Sequence, residues 1–192
     1  TNSGTWGTNT TTATCTKCHG VSGTSVASYG TDSRTAAPGY NGTGVDTSGT
    51  STNTDAQVGA HDAHVRSLMN ISSDIACNEC HKVPTTATDA GHIDSALPAE
   101  ITFGTLAKTG GLTPTTNLPT SPTTCTNTYC HAKTGFGGTD TSPTWNNSAY
   151  LPATMTAAAC GMCHAYPPSG HAAGDCNGCH SHVNASAYTF NN

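Results

Sequence analysis

The ten cysteines of this 192-residue chain fall into five pairs: Cys15/Cys18, Cys77/Cys80, Cys125/Cys130, Cys160/Cys163 and Cys176/Cys179. The residue after each second cysteine is a histidine, giving His19, His81, His131, His164 and His180. With histidine at about 1 residue in 20, five such coincidences have a chance on the order of one in a few million. Four pairs read C-x-x-C-H, the attachment signature of c-type haem. Two thiols three residues apart can each add across one haem vinyl group, and the adjacent imidazole then reaches the iron. The third pair, C-T-N-T-Y-C-H, has four intervening residues, so the chain between its thiols must bulge.

Other cysteine chemistries fit less well. A disulfide framework accounts for an even cysteine count but needs no following histidine. Zinc sites also use C-x-x-C pairs, and one isolated C-x-x-C-H suits either metal. Five motifs of five, with no cysteine left over, favour haem. A thioredoxin-like redox pair would not recur five times, and the βαβ context is lacking.

Five further histidines lie outside the motifs: His61, His64, His92, His171 and His182. Five haems with an imidazole on each side of the iron require ten histidines, and ten are present. Each spare histidine is near a motif in sequence, so the expected arrangement is bis-histidine throughout, with neutral imidazole as ligand. His61 and His64, three residues apart, would share one helix face and so serve two neighbouring haems. His182, two residues after His180, would likewise serve a haem other than that of its own motif.

Composition explains why such a chain needs its cofactors. Only 34% of the residues are hydrophobic, 6% aromatic and 9% charged. Val, Ile, Leu and Phe together number 20, about half the share below which a chain struggles to bury enough apolar surface. Threonine supplies 37 residues and serine 17. An enzyme built on a large aliphatic core is excluded. Five porphyrins would replace the missing apolar mass, and their covalent links would restrict the unfolded chain much as disulfides do.

The expected fold is mostly irregular coil with a few short α-helices, wrapped as one domain (1–192) around a closely packed haem chain. Residues 1–54 read as Thr/Ser/Gly-rich coil carrying the first motif, with turns at Pro38-Gly39 and Asn41-Gly42. Residues 55–192 carry the other four motifs. Val58, His61, Val65 and Leu68 recur at helical spacing, which predicts a helix over Asp55–Met69 with Thr54 or Asp55 as N-cap. A short helical turn is predicted at Thr156–Cys160, and Glu100–Phe103 is the one candidate extended segment.

The net charge is −5 with only six Lys and Arg, so no basic patch for nucleic acid is expected. No stretch of 18 apolar residues would span a membrane. The chain begins at Thr1 and its methionines are internal, for which removal of a leader or a tag is the simplest account, with export inferred from the haem motifs. Five haems bring ten propionates, for which Lys17, Lys82 and Arg66 are the candidate cationic partners. Hydroxyls, backbone N–H groups or a bridging divalent cation would hold the rest.

Taken together, these blocks resemble the multihaem c-type cytochromes with mixed CxxxxCH and CxxCH motifs found in metal-reducing bacteria. The resemblance runs from about Gln57 to His180. It is carried by VGAHDAHV, CNECHKVP, GHIDSALPAEITFG, CTNTYCHAKTGFGG with PTW after it, CGMCHAYPPSGH and CNGCH. It implies ligand roles for His61, His64, His92 and His171, whereas His182 lies outside the matched blocks. High Thr content, low charge and haem density also resemble extracellular cytochrome filaments (nanowires), in which a subunit often takes a distal histidine from its neighbour.

The implied function is electron transfer, as the repeating subunit of a homopolymer handing electrons to extracellular acceptors or other cytochromes. A soluble periplasmic or outer-surface pentahaem carrier is the alternative. A multihaem reductase fits less well, because such enzymes often mark the open iron with Lys in place of the motif His and no motif here ends in Cys-Lys. Intact-mass measurement of the acid-extracted protein should show five covalent haem additions. The double variant C125S/C130S should carry four.

Overall fold

The computed structural model describes residues 16, 18–22, 34–66, 73–86, 88–131, 138–147, 161, 165 and 170, and the backbone of 183–184 and 189–190. Regular structure among them is sparse. One α-helix, α1, covers His61–Val65. Strands β1 (Thr115–Thr116) and β2 (Cys125–Thr126) form an antiparallel ribbon with Thr115 opposite Thr126 and Thr116 opposite Cys125. A second ribbon pairs β3 (Val183–Asn184) with β4 (Thr189–Phe190). Single 3-10 turns occupy Arg34–Ala36, Tyr40–Gly42, Cys77–Glu79, Thr109–Gly111 and Tyr129–His131. The mostly coil character agrees with the sequence reading, and the two small ribbons add to it.

A Thr/Ser-rich coil holds its shape here because carboxylates and hydroxyls cap its turns. Asp46 Oδ1 accepts the Ser48 N–H at 2.8 Å, the Ser48 hydroxyl at 2.7 Å and the Thr50 N–H at 3.0 Å. Asp89 gathers both the N–H and the hydroxyl of Thr85 and of Thr86, at 2.6–3.1 Å. These donors hold the Asp89 carboxyl well below the usual range. The turns expected at Pro38-Gly39 and Asn41-Gly42 are present: the Gly39 N–H donates to Gly44 O at 2.6 Å and the Gly42 N–H to Gly39 O at 2.9 Å. Gly39 and Asn41 take positive φ of 80° and 52°, conformations open to Gly and Asn at little cost.

Side-chain burial confirms the shortage of a core. Among the described residues, the buried hydrophobic side chains are Ala37, Val58 and Val65, and Val58 is fully enclosed. Larger aliphatics lie outside, with Leu97 62% and Ile93 51% exposed. Three small side chains do not offset the entropy of ordering so long a coil.

The helix is shorter than its periodicity predicts. Asp55 does not cap a helix; its Oδ1 accepts the Gln57 N–H at 2.9 Å, closing a local turn. The chain then turns again through Gly59, whose φ is +44°. A Cβ at Gly59 would overlap the Trp145 indole, so the backbone passes the ring where only glycine fits. Helical geometry begins at His61 and ends before Arg66, whose φ is −121°. The rest of the expected helix to Met69, like the turn expected at Thr156–Cys160, lies outside the described residues.

The Ile101–Gly104 segment forms no strand ladder. Instead the Thr102 N–H donates to Cys80 O at 2.8 Å and the Gly104 N–H to Glu79 O at 3.0 Å, laying this segment along the second motif. Replacing Gly59 by Ala should cost about 1–3 kcal/mol through overpacking and the strained φ. A thermal melt of the purified protein should show the lower midpoint.

Candidate metal centre

The second motif begins as a 3-10 turn. The N–H groups of Cys80 and His81 both reach Cys77 O, at 3.2 and 2.9 Å, which brings the two cysteines and the histidine onto one tight bend. The Glu79 carboxylate reaches the other way and accepts the N–H groups of Leu106 and Ala107 at 2.8 and 3.2 Å. The third motif solves its longer spacing by a change of conformation between its thiols. Cys125 and Thr126 belong to β2, Asn127 takes φ +57°, and Tyr129–His131 close as a 3-10 turn. The left-handed Asn127 is the bulge that the two extra residues require; its amide donates to Thr113 O at 3.0 Å.

His19 of the first motif sits beside Gly20, where a Cβ would overlap Thr35 O. That close approach lets the His19 Nδ1–H donate to Ala36 O at 2.7 Å. The same bond type recurs: His61 Nδ1–H to Val58 O at 2.7 Å, His64 Nδ1–H to Ala60 O at 2.8 Å and His81 Nδ1–H to Glu100 O at 3.0 Å. A donating Nδ1 leaves Nε2 with its lone pair, the tautomer a metal needs.

The six described histidines assemble as three pairs, each joining a motif histidine to a spare one. His19 and His92 have ring centroids 6.4 Å apart, His81 and His61 6.1 Å, and His131 and His64 6.4 Å. Two metal–nitrogen bonds of about 2 Å, plus about 1 Å from each nitrogen to its ring centre, span about 6 Å. Each pair therefore has the spacing of two imidazoles on opposite sides of one metal ion. Among the described residues, no group of three or more His, Cys, Asp or Glu gathers as a bare ion would require. Two protein nitrogens per centre suit an iron whose other four ligands come from a porphyrin. The thiols fit as well, since no disulfide engages Cys18, Cys80, Cys125 or Cys130.

Electrostatics points the same way. Burial pushes the Cys80 thiol up to about 11, helped by Cys125 and Glu79, and it also raises Cys125 and Cys130. Burial is again the largest cause of the lowered histidines. His61 falls to about 3, with His81 adding to the effect, and His131 to about 4, with His64 adding. His19 and His81 are lowered too. His19 contributes to the lowering of both His61 and His81, so the first and second pairs are neighbours. His61 and His64 stand on the same short helix, which joins the second pair to the third.

Three of the cations are engaged within the chain. Arg66 forms two hydrogen bonds to the Asp62 carboxylate and lies 5.4 Å from the centre of the Tyr40 ring. Arg34 pairs with Asp74, and Lys82 Nζ donates to Ala90 O at 2.6 Å. Lys17 lies outside the described residues. So do Cys15, the fourth motif (Cys160, Cys163, His164), the fifth (Cys176, Cys179, His180), His171 and His182.

One contributor, the tryptophan of the PTW block, was given no role by the residue pattern. Trp145 places its ring centroid 4.8 Å from that of His61 and 5.6 Å from that of His64. The backbone carbonyls of Ala36, Val58, Ala60 and Glu100 were equally unreadable, because any residue type supplies one.

Residues 124–164 match the family described as the Geobacter CxxxxCH...CXXCH motif. The match takes in the third and fourth motifs. No curated protein and no solved structure matches the chain. Among the described residues, no helix is long and apolar enough to cross a membrane.

The lowered histidines have a consequence for acid stability. A group whose folded value lies below its unfolded value of about 6.5 contributes stability above 6.5. That contribution is lost as pH falls towards 4 for His131 and 3 for His61. The optical spectrum of the purified protein should hold steady from pH 7 to 6 and change only well below 6.5. A transition centred at or above 6.5 would contradict the buried, neutral state.

Proposed function

We propose that this chain, whose third and fourth motifs match a CxxxxCH...CXXCH family model, is a multihaem c-type cytochrome that passes electrons along five covalently held, bis-histidine haems. Haem iron supplies reversible one-electron transfer when bound. The observation that carries the reading is the spacing of the three ring pairs, 6.1–6.4 Å. On that basis His19 with His92, His81 with His61, and His131 with His64 would hold the first three irons. His164 and His180 then remain for the fourth and fifth centres, with His171 and His182 as the spare imidazoles.

The protein's own groups do four things in this scheme. The motif cysteines hold each porphyrin covalently. Nδ1–H bonds to backbone carbonyls fix the ligand rings, which lowers the reorganisation that accompanies each electron. A second imidazole at each iron would occupy the position that a substrate needs, which favours transfer over catalysis. Helix α1 carries ligands to two centres and keeps them adjacent. Exposed Ile93, next to His92, is apolar surface of the kind that a porphyrin face would cover.

The setting is a filament of repeated copies outside the cell. Thr/Ser-rich, weakly charged surface suits heterologous head-to-tail contacts that do not close into a ring. A soluble carrier more often docks by complementary charge, and the six cations are few, with three of them tied up in internal bonds. Electron micrographs of the secreted protein should show filaments; discrete particles only would return the reading to a soluble carrier. Low-spin optical and EPR spectra should account for all five irons. His92→Ala, His61→Ala and His64→Ala should each convert one centre to high spin, and the double variant H61A/H64A two. A native high-spin signal would favour the reductase reading.

A further inference from the structure

The three ring pairs differ in one respect that the spacing alone does not predict. The His81 and His61 planes lie 25° apart, close to parallel. The His131 and His64 planes are 61° apart, and those of His19 and His92 77°. Axial imidazole planes decide how two of the iron d orbitals are split. Parallel rings donate into the same orbital and separate the two widely, whereas crossed rings leave them nearly degenerate. The oxidised centre is then rhombic in the first case and strongly axial in the second.

We propose that Trp145 is the positioning residue that sets these angles at the second and third centres, making the middle centre electronically distinct from its two described neighbours. This rests on the bis-histidine reading above. The indole stands edge-on to His61, at 84°, and tilted over His64, at 34°. Each imidazole already has its Nδ1–H held by a carbonyl one turn back, and the indole blocks the remaining freedom of rotation about the ring axis.

The wedge itself is anchored on both sides. Trp145 Nε1–H donates to Ala56 O at 2.9 Å, and its backbone N–H donates to Thr123 O at 2.7 Å. The Asn146 amide donates to Thr54 O at 3.1 Å, while its carbonyl oxygen accepts the Thr123 N–H at 3.2 Å. The ring is thus pinned between the entry to α1 and the segment just before Cys125. Gly59 leaves the space for it, since a Cβ there would overlap the indole. Sequence separation makes the arrangement non-local: residues 54–64, 123 and 145 meet only in the folded chain.

EPR of the oxidised full-length holoprotein tests this, with haem content and a thermal melt recorded on the same samples. The wild type should show a rhombic low-spin component alongside large-g signals. W145L, which removes the aromatic wall, should shift or lose a rhombic component amounting to about one centre in five, while every iron stays low-spin. W145F, which keeps an aromatic wall while losing the Nε1–H donor and part of the ring area, should retain it. If W145L does not fold, G59A provides the second variant, because it displaces the indole without deleting it and should shift the same component. An unchanged spectrum in a low-spin W145L or G59A sample overturns the role of Trp145. High-spin iron in the wild type would instead overturn the bis-histidine reading on which it rests.

Discussion

A histidine ring with its Nδ1–H tied to a backbone carbonyl is the unit on which the rest of this molecule depends. Four such bonds are present among the described residues, at His19, His61, His64 and His81. Each does two jobs at once. It satisfies a half-buried polar group that would otherwise cost the fold, and it turns Nε2 into a fixed lone pair. The coil is arranged to deliver these carbonyls. The 34–37 turn brings up Ala36, the turn before α1 brings up Val58 and Ala60, and the 99–104 segment brings up Glu100. Positions that look like filler in the sequence supply the carbonyls that hold the histidine rings.

This organisation explains how a chain with so little to bury can be ordered. Val58 is the largest aliphatic fully enclosed among the described residues, and Leu97 and Ile93 face outward. Order comes instead from short-range polar closure, seen in the Asp46 and Asp89 turns, and from long-range carbonyl contacts around the motifs. Both are directional and weak one by one. Haem attachment would add the cohesion that side chains do not offer, because a porphyrin brings a large apolar face and the thioether links restrict the unfolded chain.

The same economy shapes function. Helix α1 is five residues long, too short to be stable by itself, yet it carries His61 and His64, whose rings stand opposite those of two different motif histidines, His81 and His131. Trp145 and Gly59 brace it from one side. The fold gives up regular structure to place imidazoles.

Much of the centre was legible in the sequence. The five Cys–His motifs, the matching count of ten histidines and the coil-dominated fold all follow from local spacing and composition, because thioether attachment needs adjacent residues and a low aliphatic share forbids a large core. The extra length of Cys125–Cys130 also predicted a bulge, and Asn127 provides it. The helix over Asp55–Met69 was overestimated, since periodicity cannot register an indole arriving from residue 145 that forces a turn at Gly59. Which spare histidine stands opposite which motif histidine was decided by tertiary structure alone. His92 comes to His19 across more than seventy residues of chain, and His64 rather than His61 comes to His131. The backbone carbonyls and Trp145 belong to the same class. Residue spacing encodes what one stretch of chain does by itself, and these contacts exist only once distant stretches have packed together.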